Sequence, residues 1–139
     1  MEQIILSWKN ERLKLFALWL FILFNIIFRD IHQLTLKSHL EMLLTGYFNG
    51  IEITDSIMLA GAIIVNIPIS MLLVSLFVDR KVTRILSIIA AILLTLSFIL
   101  SPPSDMDDIF HLIVELIAIG AIILTSIKWQ KVTIHTSKV

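Results

Sequence analysis

The chain has 139 residues, of which 58% are hydrophobic and 16% charged, and its mean hydropathy is +0.95. A soluble domain carries apolar residues nearer half and charges nearer a quarter. The formal net charge is zero, so no global field recruits nucleic acid. The absence of cysteine excludes disulfides, thiolate catalysis, iron–sulfur clusters and cysteine-based zinc sites.

The apolar residues fall into four blocks, each about as long as the hydrocarbon core of a bilayer is thick. They predict an all-α, integral membrane four-helix bundle, a single membrane domain over 1–139 with spans at about 14–31, 57–78, 82–101 and 109–127. Lys9, Arg12 and Lys14 precede the first block as they would in a signal peptide. No small-residue cleavage site follows, so the block reads as a retained span. Its apolar part, 15–28, broken only by Asn25, is short, and Lys14 and Arg29 flank it as snorkelling residues.

The stretch "HLEMLLTGYFNGIEITD" comes next. Leu40, Leu43, Leu44, Tyr47 and Phe48 recur at helical spacing, predicting a short interfacial helix that Gly46 and Gly50 break. Thr54 or Asp55 supplies the cap of span two. Pro68 inside that span removes a backbone donor and crowds the carbonyl of Ile64, predicting a kink that faces protein. "DRKVTR" at 79–84 is a tight basic turn. In span three Ser87, Ala91 and Thr95 recur every four residues, a small-residue stripe that lets membrane helices approach closely. "SPPSDMDD" stops that span, and Ser104 or Asp105 caps the fourth.

Lysine and arginine sort by side. Lys9, Arg12, Lys14, Arg80, Lys81, Arg84, Lys128, Lys131 and Lys138 stand on one side and Arg29 and Lys37 on the other, nine against two. The positive-inside rule then places both termini and the 79–84 turn in the cytoplasm. Trp8, Trp19 and Trp129 lie toward the same side, as an aromatic belt would.

With that layout Asn25, Arg29, Asp30 and His32 lie at the outer mouth of span one. Asn25, Arg29 and His32 share a helix face at i, i+4, i+7, and His111 and Glu115 share one at i, i+4. Glu115 lies ~9 Å and Asn66 ~14 Å below the outer starts of their spans. Ionisable groups in a span turn inward and find partners. The natural pairs are Arg29 with Glu115 or Asp30, and a histidine with a carboxylate. Asn25, Arg29, Asp30, His32, Asn66, His111 and Glu115 are therefore the candidate ligand-binding residues for a small ligand, a lipid headgroup or an ion. The competing reading is a structural network that holds helix register.

Asp30, His32, His111 and Glu115 include plausible zinc ligands, but H-x-x-x-E matches no recognised metal motif, and neither a metal nor a cofactor is assigned. His39 and His135 read as interface or tail residues. No P-loop, G-x-S-x-G, H-E-x-x-H or G-x-G-x-x-G is present, and Ser70 and Ser75 read as packing residues rather than nucleophiles. The expected class is a non-enzymatic membrane protein. Its partners are the lipid bilayer and either another membrane protein, as an accessory or immunity-type subunit, or a second copy; nucleic acid is not among them.

The order "FRDI" (28–31), "LLTGYFNGIEIT" (43–54), "AIIVNIPISMLLVSLFVDRKVTRILSIIA" (62–90) and a lone glutamate in the last span resembles an uncharacterised family of small bacterial four-span membrane proteins. In that family pattern an aromatic-x-D-I closes span one, G-Y-x-x-G-I-x-I-T precedes span two, E-I-P-I-A-M lies within it and N-R follows the basic turn. Two positions depart: the acid of span two is Asn66 here, and N-R reads Thr83-Arg84. The resemblance covers about 15–128. It implies the fold and a bacterial cytoplasmic membrane location, carries no established activity, and draws attention to Asp30. A more distant architectural likeness is to DoxX-type four-helix proteins.

Overall fold

The computed structural model describes residues 2–48, 50–100, 103 and 105–129, with side chains from residue 10 onward. Expectations that rested on Trp8, Lys9, Ser104, Lys131, His135 and Lys138 fall outside what is described.

Helix α1 spans Glu2–Thr35. It continues past Arg29-Asp30 because no proline or glycine stops it, and Thr35 Oγ1 closes its last turn on the His32 carbonyl at 2.7 Å. The short α2, Lys37–Leu44, follows with Leu40 and Leu44 exposed. Gly46, at φ +78°, turns the chain after it, a left-handed conformation that glycine adopts without a Cβ clash. A two-stranded hairpin then pairs β1 (Tyr47–Phe48) with β2 (Ile51–Glu52) in antiparallel register, with Gly50 at φ +80° in its turn. Ile53 N–H donates to the Gly46 carbonyl at 2.8 Å and closes the loop.

Helix α3 covers Asp55–Phe77, α4 Arg80–Leu100 and α5 Met106–Lys128. Thr54 accepts from Ile57 N–H and Asp105 from Asp108 N–H, capping α3 and α5. Pro68 lies within α3 with its side chain fully buried, facing protein as a freed backbone carbonyl requires.

Helices α1, α3, α4 and α5 each contain a stretch long and apolar enough to cross a membrane. Helices α1 and α4 each pack against both α3 and α5, so the four form a ring with α1 and α4 on one diagonal. The core runs through Leu15, Trp19, Ile22 and Ile26 of α1, Met71 of α3, Ala90, Ala91 and Leu94 of α4, and Ala118, Ile119 and Ile122 of α5. The outer faces present Phe21, Phe24, Phe28, Leu73, Ile92 and Ile117, the coat that a lipid-facing bundle needs. The chain is an all-α membrane protein.

The small residues of α4 do pack. Ser87 and Ala91 are fully buried and Thr95 is half-buried, bonded back to the Ala91 carbonyl at 2.8 Å. The tryptophans correct the sequence reading. Trp19 and Trp129 are buried core residues, at 0% and 3% exposure, rather than members of an interfacial belt. Trp19 shares the stripe of Leu15, Ile22 and Ile26 at helical spacing, and that stripe faces the bundle.

At one end, basic side chains close the C-termini of α3 and α5. Arg12 donates to the Ser75 and Leu76 carbonyls at 3.2 and 3.1 Å and stacks over Trp129 at 5.7 Å. Arg84 donates to the Ser126 and Ile127 carbonyls, and Arg80 to that of Trp129. Buried Thr83 donates to the Val74 and Val78 carbonyls.

The tight α4 face gives a prediction. Ala91→Leu overpacks a fully buried position and destabilises the bundle by about 1–3 kcal/mol, while Ile92→Leu on the exposed face changes stability by under about 0.5 kcal/mol. Unfolding of the two variants in lipid nanodiscs measures the contrast.

Candidate functional site

The opposite end of the bundle is acidic. Asp55 opens α3, and Asp105, Asp107 and Asp108 cluster at the start of α5. Carboxylates there complement the partial positive charge of a helix N-terminus. The last two turns of α1 lie against this end of α5, and the polar residues of the two helices interlock.

Asn25 fixes the first contact. Its Nδ2 donates to the His111 carbonyl at 3.2 Å, and its Oδ1 lies 2.7 Å from His111 Nδ1. Arg29 reaches deeper: its Nη1 is 3.6 Å from Glu115 Oε2, while its Nε is 3.8 Å from Asp30 Oδ1. The guanidinium also lies 6.0 Å from the Phe98 ring across the bundle, within cation–π range. Nearer the mouth Gln33 Nε2 donates to Asp108 Oδ1 at 2.5 Å, and His32 Nδ1 lies 3.1 Å from Asp107 Oδ2.

Glu115 is the most enclosed of these groups, with no exposed surface. Arg29 and Asn25 are its polar neighbours, and the Arg29 contact at 3.6 Å is longer than a hydrogen bond. Asp108 is also buried, at 7% exposure, and Asp30 is exposed.

Beside this network lies a cavity of about 280 Å³. Ile26, Ile64, Val65, Phe98 and Leu112 form its apolar wall, and Arg29, Asp30, Gln33 and Asp108 its polar rim. Every long helix contributes, and Phe48 of β1 adds the hairpin to the lining.

The structure therefore brings Asn25, Arg29, Asp30, His32, His111 and Glu115 to one end of one helix pair. It does not bring Asn66. That side chain is exposed on the outer face of α3, outside the cavity. Gly61, Ile64, Val65 and Pro68 set the inward face of α3, and Asn66 projects roughly 100–160° away from them at 100° per residue. Asp107, Asp108, Gln33 and Phe48 were not foreseen. Asp107 precedes His111 by four residues and Glu115 by eight, so the same-face rule that paired the latter two also reaches Asp107.

A family model, described as a family of unknown function (DUF6326), matches residues 3–136. The chain belongs to that family. No curated protein and no solved structure matches it. The matched region takes in all four long helices and the hairpin, so the cavity lies wholly within the family's extent. Of the two departures noted in the sequence, Asn66 lies away from the cavity, and Thr83 serves the opposite end by bonding α3 carbonyls.

The Arg29–Glu115 pair has a measurable signature. Arg29→Met leaves an unpaired buried carboxylate and destabilises by about 3–5 kcal/mol, whereas Arg29→Met with Glu115→Leu returns to within about 1 kcal/mol of the unaltered chain or exceeds it. Denaturation of the single and double variants in nanodiscs reads the difference.

Proposed function

We propose that the chain is a non-enzymatic, multi-pass protein of a bacterial cytoplasmic membrane, with both termini inside, whose acidic end holds an outward-facing site for a small amphiphilic ligand. The orientation rests on the distribution of lysine and arginine. The ligand carries a positively charged or donor-rich head on an apolar body. The observation that carries this reading is a cavity with apolar walls whose rim holds the carboxylates of Asp30 and Asp108. Arg29 stands beside Asp30 on the same rim, and Glu115 faces its guanidinium from below, so the polar end of the site is richer in carboxylates than in cations. A small number of convergent polar groups on an apolar cavity is the usual form of a ligand site. Catalysis has less support: the only hydroxyl on the cavity wall among the described residues, Ser97, donates back to the Leu94 carbonyl at 2.8 Å.

Thermal unfolding of the purified chain with hexylamine, hexyltrimethylammonium and hexanoate tests the ligand class. The two cations raise Tm, hexanoate does not, and Asp108→Asn removes the response. Equal responses to all three, or none, sink the proposal.

A second reading, association with another membrane protein or a second copy, draws on Ala62, Asn66 and Ser70. They recur every four residues on the exposed face of α3, and Asn66 makes no hydrogen bond among the described residues. A small and polar stripe of this kind suits a helix–helix contact within lipid. The chain has no cysteine, so Ser70→Cys gives one reporter thiol. Oxidation in membranes yields a disulfide-linked homodimer if the stripe joins two copies, and only monomer if it does not.

A further inference from the structure

We propose that the mouth of the α1–α5 pair is a binding site for a divalent cation of the Zn²⁺ class, held by His32, Asp107 and His111. One donor atom from each of these residues lies within 4.8 Å of the other two. His32 Nδ1 is 3.1 Å from Asp107 Oδ2, and His111 Nε2 is 3.7 Å from Asp107 Oδ1. Zinc bonds of about 2.0–2.2 Å in a tetrahedron separate neighbouring ligands by about 3.3–3.6 Å. The two measured separations, one to each oxygen of the Asp107 carboxylate, lie close to that range, so side-chain adjustment is what the site requires.

The tautomer of His111 is set by Asn25. Because Asn25 Nδ2 is committed to the His111 carbonyl, its Oδ1 is the atom that faces His111 Nδ1, and that nitrogen must carry the proton. The lone pair of the neutral ring is then on Nε2, the atom that faces Asp107. An oxygen acceptor behind the non-ligating nitrogen is the recurrent outer support of a metal-binding histidine. The sequence alternative of Asp30 and Glu115 as ligands does not survive, because both face Arg29. Asp107 has no lysine or arginine partner among the described residues; its charged partners are the two histidines.

The choice of metal follows from the donors. Two imidazoles and one carboxylate suit Zn²⁺ and its borderline neighbours rather than Mg²⁺ or Ca²⁺. The His32 side chain is 66% exposed and that of Asp107 39%, so an ion enters freely and a fourth position stays open to water. The partial positive charge of the α5 N-terminus opposes a cation, and Asp105, Asp107 and Asp108 offset it.

Co²⁺ is a spectroscopic stand-in for Zn²⁺. The full chain in detergent, titrated with Co²⁺ and followed by visible absorption, takes up one equivalent with intense, tetrahedral-type bands that Zn²⁺ abolishes. His32→Gln and Asp107→Asn, both at accessible positions, each weaken Co²⁺ at least tenfold, and Asn25→Leu weakens it by about 10–100-fold through the support of His111. Glu41→Gln, a change in an exposed ion pair on α2, leaves the titration unchanged. The proposal is overturned if no saturable equivalent appears, or if His32→Gln and Asp107→Asn bind Co²⁺ as the unaltered chain does. Neither result bears on the amine response of the neighbouring cavity.

Discussion

A hydrocarbon surround offers backbone and side-chain polar groups no partner, so each must find one inside the protein or reach an end of the bundle. That constraint sorts this molecule. Basic residues gather where α3 and α5 end, and their donors meet carbonyls that helix geometry leaves open. Acidic residues gather where the same two helices begin, and at α5 one of them, Asp105, accepts an open N–H group. Charge and helix dipole are therefore complementary at both ends. Arginines that read in the sequence as markers of sidedness are also structural caps.

Between the two ends, the charged interruption of the apolar core among the described residues lies along the contact of α1 with α5. Asn25, Arg29, His111 and Glu115 lie there together, a well-bonded amide–imidazole pair beside a carboxylate that one guanidinium faces at 3.6 Å. The hairpin, turned by Gly46 and Gly50, contributes Phe48 to the neighbouring cavity. The connection between α4 and α5 adds Pro103, so two segments outside the long helices help to line the cavity.

The four spans were legible because twenty apolar residues in a row carry a signal no local detail can mask. The α1 and α5 faces were legible too, since several polar residues on each repeat at helical spacing and reinforce one another. Asn66 was misplaced because a lone polar residue does not reveal which side of its helix the neighbours cover. Trp19 was misplaced for a related reason: amphipathic rings suit an interface, but its stripe-mates Leu15, Ile22 and Ile26 decide its direction. Asp107 was hidden inside "SPPSDMDD", where the stop-and-cap signal of Asp105 explains the acids so readily that a second role goes unasked. The hairpin lay beyond periodicity, in a segment of only six residues from Tyr47 to Glu52.

The pairing of the first long helix with the last has a consequence for how the protein is made. Asn25 and His111 are 86 residues apart in sequence, and Arg29 and Glu115 are separated equally. At ribosomal rates of about 5–20 residues per second, roughly 4–17 s pass between emergence of the first partner and arrival of the second. Throughout that interval Arg29 has no deep carboxylate to meet and must stay near the headgroups, which its long side chain permits. Arrival of α5 is then what draws the guanidinium inward. A chain that stalls before α5 keeps an arginine whose acidic neighbour is Asp30 alone, without the buried Glu115, and that difference distinguishes an unfinished protein from a finished one.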